Sequence, residues 1–373
     1  MSSPEKKKKA TTTKKPSLKR KKKKLAPPQL TSIHSLPDDV LLTCLARVSR
    51  LHYPTLSLVS KSFQSLLASP ALHKTRSSLG RTETCLYVCF RSLRHQPDPN
   101  PRWFTLCLKP EKKKKKKKKS SGYVLAPTSV PCSAPAHWSG LVAIPSVKNI
   151  YYIGGPIEHA PLSSPEAPRM WVERCKPMVN VLDRKVYVTR GGRDREDSDV
   201  EIFNQKTKTY EIWDYNMTLQ AVVDKKVYMF GLTNGLAYIP KEGQWERLWG
   251  QKSSWGYFSF CVIEKVLYHY RSGVFKWYDT KGGCWIELKG LTGLPKFESY
   301  GCVQLADYGG KMAVLWSELV LTSNDCKNMM IWCAVIALER RNGEEIWGNV
   351  EWCDVVLTVP NSSKLEYALA ATV

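Results

Sequence analysis

Two spacings of apolar residues divide the chain. Within residues 36–72 the apolar side chains recur three or four positions apart, which is the spacing of an amphipathic helix. Pro37, followed by Asp38 and Asp39, marks the first helix start, because acidic groups favour the positive end of the helix dipole. A second start follows at Tyr53, so the pattern predicts about three short helices. A unit of about 40 residues buries too little surface to be very stable alone, which indicates docking to a partner.

From residue 84 onward the spacing changes to the alternation that is typical of β-strands, in units that repeat about every 40 residues. Each unit begins with two alternating strands joined by a polar turn, such as Asp183-Arg184 or Asp224-Lys225, and this pattern predicts a hairpin. A further strand pair and a tryptophan follow each hairpin. The units lie near residues 138–171, 179–213, 220–248, 260–290 and 303–352. Their second strands carry the anchor residues Tyr151, Tyr187, Tyr228, Tyr268 and Ala313.

Four strands per unit, with Gly154-Gly155 and Gly191-Gly192 after the second strand, resemble the kelch repeats of a β-propeller. The resemblance implies an all-β, kelch-type propeller of about six four-stranded blades over residues 84–373. Five blades come from the units above and one from a strand pair at Leu86–Phe90 and Trp103–Leu108. Residues after Val350 are expected to supply strands that close the ring, since closure removes exposed sheet edges.

The helical segment carries a second set of motifs. They are Leu36-Pro37-Asp38-Asp39, the leucines Leu41, Leu42 and Leu45, Val59-Ser60-Lys61-Ser62-Phe63, and Ser69-Pro70-Ala71-Leu72. In this order they resemble the F-box, which implies a small α-helical F-box module over residues 31–77. The resemblance further implies binding to the Skp-type adaptor of an SCF (Skp–cullin–F-box) ubiquitin ligase, and through it to cullin and RING subunits. The implied adaptor-binding residues, or their support, are Leu36, Pro37, Val40, Leu41, Leu45, Leu56 and Val59. For any single leucine, ordinary core packing explains the pattern equally well.

An F-box followed by degenerate kelch repeats resembles the large F-box/kelch-repeat family of plants. This resemblance implies a substrate-recruiting adaptor subunit without catalytic activity of its own, whose propeller binds a target protein of unknown identity. In a four-stranded antiparallel blade, the loop after the second strand and the loop leaving the fourth emerge at the same end. Exposed arginine and aromatic residues on such loops are frequent interface anchors. The predicted target-binding residues are Arg193, Arg195, Trp255, Tyr257 and Phe297. Solvated charges, and aromatic rings folded back onto the blade, explain each residue equally well.

The net charge of +24 comes mainly from two lysine-rich runs. Twelve basic residues lie within residues 6–24 and eight lysines within residues 112–119, and the remainder of the chain is only mildly basic. Such runs repel themselves and bury nothing, so we expect a disordered tail over residues 1–30 and an expanded surface loop over residues 109–121. The tail is interpreted as a nuclear import signal or weak phosphate-binding arm, or equally as a solvated tail without a reader.

Partners and location follow from the same charge pattern. Binding of nucleic acid is not expected, or only without sequence preference, because no aromatic residues are interleaved with the lysines. No apolar stretch is long enough to cross a bilayer and no secretory signal is recognisable, so we expect no membrane association and a location in the nucleus, the cytoplasm or both.

The sequence offers little for metal binding or catalysis. None of the 12 cysteines is spaced C-x-x-C, so no metal and no cofactor are expected, and the cysteines are interpreted as small apolar residues of strands. There are two alternative functions. One is a nuclear or nucleic-acid-associated scaffold that uses the lysine-rich runs, and the other is a propeller oxidase, which would need histidine and tyrosine ligands to converge. His137, His159 and His269 are far apart along the chain, although sequence distance alone does not exclude convergence.

Overall fold

The computed structural model describes most of the helical segment and the strands of the propeller. The described residues are 36–92, 102–109, 121–128, 140–144, 149–153, 177–183, 185–189, 200–204, 209–213, 219–230, 235–248, 259–271, 273–295, 297, 303–320 and 328–372. Contacts divide the chain into Met1–Leu41 and Leu42–Val373. Among the helices in these ranges, none combines the length and the apolar character that a bilayer crossing requires.

The helical segment contains four short α-helices and one 3₁₀ turn. They are α1 (Asp38–Arg47), the 3₁₀ turn (Arg50–His52), α2 (Tyr53–Leu56), α3 (Lys61–Ala68) and α4 (Pro70–Ser78). Serine side chains fix the starts of α3 and α4, because Ser60 Oγ accepts a hydrogen bond from the Phe63 N–H and Ser69 Oγ accepts one from the Leu72 N–H. The helical spacing that continues after Tyr53 is therefore divided between α2 and α3, and the segment has more helices than we predicted.

The strands form five complete four-stranded antiparallel sheets and one two-stranded sheet. In chain order the strands are β1 (Thr84–Ser92), β2 (Arg102–Leu108), β3 (Tyr123–Pro127), β4 (Gly140–Ile144), β5 (Asn149–Ile153), β6 (Met178–Leu182), β7 (Lys185–Thr189), β8 (Val200–Asn204), β9 (Thr209–Trp213), β10 (Leu219–Val223), β11 (Lys226–Phe230), β12 (Gly235–Ile239), β13 (Gln244–Leu248), β14 (Ser259–Ile263), β15 (Val266–Arg271), β16 (Val274–Asp279), β17 (Cys284–Glu287), β18 (Gln304–Asp307), β19 (Met312–Val320), β20 (Asn328–Arg341), β21 (Glu345–Pro360) and β22 (Ser363–Thr372).

The sheets confirm a helical module followed by a β-propeller, and they correct the number of blades. The complete blades are β22-β1-β2-β3, β6 to β9, β10 to β13, β14 to β17 and β18 to β21. We predicted about six blades, but the described residues complete five. The unit predicted near residues 138–171 contributes only the β4–β5 pair, because the rest of that unit lies outside the described residues.

The last strand closes the ring, as predicted for the residues after Val350. Strand β22 pairs with β1 from Thr84↔Thr372 to Ser92↔Ser363, so one blade combines the two ends of the propeller sequence. Without this pairing, backbone hydrogen-bonding groups at the edges of β1 and β22 would have no partner in a sheet.

The polar turns of the hairpins have the backbone geometry that their position demands. Asp224 and Lys225 have φ of 45° and 63°, and Glu264 and Lys265 have φ of 47° and 65°. Two consecutive residues with positive φ form a type I′ turn, whose twist matches that of the flanking strands. The two-residue connections therefore fix the register of β10 with β11 and of β14 with β15.

The hydrophobic core lies between neighbouring blades. One cluster joins β14–β17 to β18–β21, a second joins the first blade to β18–β21, and two more join the blades around β10–β13 to their neighbours. The anchor residues Tyr187, Tyr228, Tyr268 and Ala313 are all buried, each in the second strand of its blade. Each of the five complete blades therefore packs against a neighbouring blade.

Candidate functional site

One end of the propeller is defined by the turns between the first two strands of successive blades. The turn before β11 meets the turn before β15, where Lys265 Nζ lies 3.0 Å from Asp224 Oδ1. The turn before β15 adjoins the turn before β19, since a Cβ built on Gly310 would lie 3.0 Å from Glu264 Oε1. The turn before β19 also adjoins the start of β1, where a Cβ built on Gly309 would lie 3.7 Å from Thr84 Cβ. Because only residues 79–83 separate α4 from Thr84, the helices from Leu42 onward join the propeller at this end, which we call the helix-side end.

The opposite end carries the starts of the first strands and is where we predicted target binding. Asn180 Nδ2 donates to the Gln220 carbonyl oxygen at 3.0 Å, and the Leu305 N–H donates to Ser259 Oγ at 2.6 Å. These contacts bring together the starts of neighbouring first strands, β6 with β10 and β14 with β18. Thr189 ends β7 just before residues 190–199, and Ser259 begins β14 just after residues 249–258.

Most of the predicted target-binding residues lie outside the described residues: Arg193, Arg195, Trp255 and Tyr257. Phe297 is described, and its ring packs edge-on against Tyr270 at 5.2 Å, Phe275 at 5.9 Å and Trp316 at 5.0 Å. These contacts place the half-buried ring on the core between two blades. Such packing of aromatic rings onto the blade is the alternative to target binding that we gave from the sequence. That Phe297 takes part in target binding stays a prediction.

The predicted adaptor-binding residues fall into two groups by exposure. Leu36, Val40 and Val59 are exposed to 38%, 43% and 54%, and Pro37 is exposed as well. Leu41 and Leu45 are buried, and Leu56 is half-buried. The exposed residues are available to a partner, whereas the buried leucines support the helices that present them.

Leu58 is an exposed apolar residue that the sequence reasoning missed. Its side chain is 83% exposed, the highest value among the large exposed apolar residues described. It lies in the turn between α2 and α3, beside Val59. The sequence signal was present, because Leu58 directly precedes the Val59-Ser60-Lys61 motif, but periodicity alone does not show which side of a turn is exposed.

Trp285 and His269 take part in packing. Trp285 lies between blades, where its ring contacts Phe230 at 5.7 Å and His269 at 4.3 Å. Burial, with two neighbouring positive side chains, lowers the pKa of His269 to about 4, so the imidazole is neutral at neutral pH. Among the described residues no three histidine, cysteine or acidic side chains converge as metal ligands would. His137 and His159, which the oxidase alternative also invoked, lie outside the described residues.

Comparison with known proteins agrees with both modules. Residues 33–75 match the F-box domain model, and residues 103–357 match the model described as FKB95, Kelch-repeats domain. F-box/kelch-repeat protein At4g39550 of Arabidopsis thaliana is 53% identical over 381 residues, covering 93% of this chain and 96% of the relative. F-box/kelch-repeat protein At4g39580 of the same plant is 46% identical over 374 residues, covering 94% and 96%. The chain therefore belongs to the plant family of F-box/kelch-repeat proteins.

Proposed function

We propose that this substrate-adaptor type protein is the target-recruiting subunit of an SCF-type ubiquitin ligase. Its F-box binds a Skp-type adaptor, and through it cullin and RING subunits, while the propeller binds the protein to be ubiquitinated. The chain itself contributes binding and no catalytic step. The observation that carries the proposal is the exposure of apolar side chains in the F-box, above all those of Leu58 and Val59 in the turn between α2 and α3. Apolar side chains left in water at a motif of this kind favour a protein partner.

Co-purification with a Skp-type adaptor tests the adaptor-binding surface. Leu58→Asp with Val59→Asp is expected to abolish capture of the adaptor, because both side chains would carry charge into an apolar interface. Their exposure predicts little effect on the melting temperature. Leu319→Asp is the matched control, since Leu319 is 60% exposed in the propeller. Capture that survives in the double variant would refute this surface, as would loss of capture in the control.

Buried leucines are unsuitable for this test. Leu45 is only 4% exposed, so its replacement by alanine would destabilise the helices by about 2–5 kcal/mol, and a loss of adaptor binding would then have a structural cause. Variants at Leu58 and Val59 separate recognition from stability.

Target binding is assigned to the end of the propeller opposite the helices. Arg193→Ala with Trp255→Ala is expected to abolish recruitment of a target while adaptor capture and melting temperature stay unchanged. The strand ends next to residues 190–199 and 249–258 support this assignment, because they lie away from Thr84. A large drop in the melting temperature would show instead that the two residues hold the fold together.

The lysine-rich tail supports a nuclear location as a proposal of its own. Deletion of residues 1–30 is expected to shift a tagged protein from the nucleus to the cytoplasm, and an unchanged distribution would identify the run as a solvated tail. Any nucleic-acid binding by the lysines is expected to be independent of sequence and to weaken steeply with added salt, because it rests on phosphate neutralisation.

A further inference from the structure

A network of polar contacts around Glu83 joins the helices from Leu42 onward to the first blade. Only five residues, 79–83, separate α4 from β1. Glu83 Oε2 accepts hydrogen bonds from the Arg50 backbone N–H at 2.8 Å and from Ser49 Oγ at 3.2 Å. Glu83 Oε1 lies 3.4 Å from Arg76 Nη2. One carboxylate therefore contacts the segment between α1 and the 3₁₀ turn as well as α4.

Arg76 extends the network into the helices. Its side chain is 1% exposed, and Nη1 donates to the Ala46 carbonyl oxygen at 3.0 Å, the Val48 carbonyl oxygen at 2.7 Å and Tyr53 Oη at 3.0 Å. The first two oxygens belong to the end of α1 and the residues after it. Hydrogen bonds that carry a full charge are stronger and more directional than neutral ones. Arg76 thus holds three helical elements at one point.

The blade side of the network comes from β1 and β2. Arg50 Nη2 donates to Tyr87 Oη in β1 at 3.5 Å, and the 3₁₀ turn lies against β2. Glu83 itself precedes the first residue of β1, so its backbone continues into the sheet. The contacts therefore run on both sides of the short connection.

We propose that Glu83 is a positioning residue, which fixes the helices from Leu42 onward against the first blade and removes hinge motion from the connecting segment. The purpose of such a joint rests on the proposed function: a ligase scaffold and a target held at opposite ends of the propeller need a constant separation for ubiquitin transfer. The joint itself does not depend on ligase activity, so it can be tested separately.

The distance between two spin labels measures the joint in the full-length protein. Cys44 in α1 and Cys284 in β17 are the two exposed cysteines among the described residues. Burial raises the pKa of the half-buried Cys85 and Cys353 thiols, which slows their labelling. Cys132, Cys175, Cys302 and Cys326 are replaced by serine so that only the two exposed sites carry nitroxides.

A single narrow distance distribution is expected for the protein with Glu83 intact. The ends of a flexible five-residue connection lie roughly 12 Å apart on average, and their separation varies by a similar amount. Glu83→Ala is therefore expected to widen the distance distribution by about 12 Å. Glu83→Gln keeps an acceptor oxygen for Arg50 and Ser49 but removes the charge that faces Arg76, and is expected to give an intermediate width. Glu344→Ala, in the exposed turn between β20 and β21, is the matched control and should leave the width unchanged.

The outcomes separate this inference from the proposed function. A broad distribution in the parent protein, or an unchanged width in both Glu83 variants, would overturn the positioning role. Should Glu83→Ala fail to fold, the parent protein and Glu83→Gln decide the question. Adaptor capture is expected to be equal in the parent and in Glu83→Gln, because Leu58 and Val59 are unaltered. If the parent protein itself does not capture the adaptor, the proposed ligase role is refuted, whereas the conclusion from the distance measurement is unaffected.

Discussion

The ion pair between Arg91 of β1 and Glu366 of β22 is expected to matter for stability only as a pair. The two side chains are exposed to 4% and 9%, and they connect the strands that close the ring. Glu366 lies where the pairing of β1 with β22 shifts register, between Phe90↔Leu365 and Cys89↔Tyr367. Arg91→Met or Glu366→Leu alone leaves one buried charge without compensation, which costs about 3–5 kcal/mol of unfolding free energy. The double substitution removes both desolvation costs and is expected to be neutral or stabilising by about 1 kcal/mol.

Urea unfolding followed by tryptophan fluorescence measures this difference. With a denaturant slope of about 3 kcal/mol/M, each single substitution lowers the midpoint by roughly 1–1.7 M. Lys311→Met with Glu351→Leu is the matched control, because this pair is exposed to 44% and 34%. Exposed pairs contribute about 0–1 kcal/mol, so neither the single nor the double control should shift the midpoint by more than about 0.3 M. If the double substitution at Arg91 and Glu366 lost as much stability as the two single substitutions together, the reasoning from buried charge would be refuted.

Three further predictions concern single elements. Glu264→Asn with Lys265→Gly should stabilise the protein by about 1 kcal/mol in thermal unfolding, since both positions have positive φ in a two-residue hairpin; a lower melting temperature would contradict the turn geometry. Burial lowers the pKa of His269 to about 4, so as the pH falls the unfolded chain binds a proton before the folded protein does. Up to about 3 kcal/mol of unfolding free energy is therefore lost between pH 6.5 and 4. His269→Gln should abolish this part of the pH dependence of the unfolding free energy. Leu45→Ala should lower the free energy of unfolding by about 2–5 kcal/mol and Leu58→Ala by no more than about 0.5 kcal/mol. Equal losses in the two variants would contradict the placement of Leu45 in the core and of Leu58 at the surface.

The strands were predictable because short apolar runs bounded by polar turns mark strands that are packed on both sheet faces. The segments around Tyr187, Tyr228 and Tyr268 are runs of consecutive apolar residues, and the structure buries each of these tyrosines between blades. Closure of the ring by the last residues was predicted without any motif, because exposed strand edges are unfavourable in any sheet. The blade count did not follow, since the units differ in length and the Gly-Gly positions are retained in only two of them.

The division of the F-box residues into exposed and buried was not predictable from periodicity. Leu41 and Val40 are neighbours on one helix, yet one is buried and the other 43% exposed. Which stripe of a short amphipathic helix is covered depends on the helices that pack against it, and that information is tertiary. Leu58 illustrates the same limit in a turn, where no periodic pattern applies. Phe297 illustrates it in a connecting segment, where three neighbouring rings draw the side chain to the core.

The direction of the strands separates the F-box helices from Leu42 onward from the end of the propeller where we propose target binding. Strands β1 and β22 pair from Thr84↔Thr372 at the helix-side end to Ser92↔Ser363 at the other, a length of roughly 30 Å at about 3.3 Å per residue. Strand β2 returns to the helix-side end, where the Lys109 N–H donates to the Gly122 carbonyl oxygen at 2.7 Å on either side of the lysine-rich insert. The insert is therefore attached at the same end as the F-box helices from Leu42 onward. Because long-range attraction between charges is screened within about 10 Å at moderate ionic strength, charge attached at this end acts on partners bound there and scarcely on the opposite end, some 30 Å away, where we propose target binding.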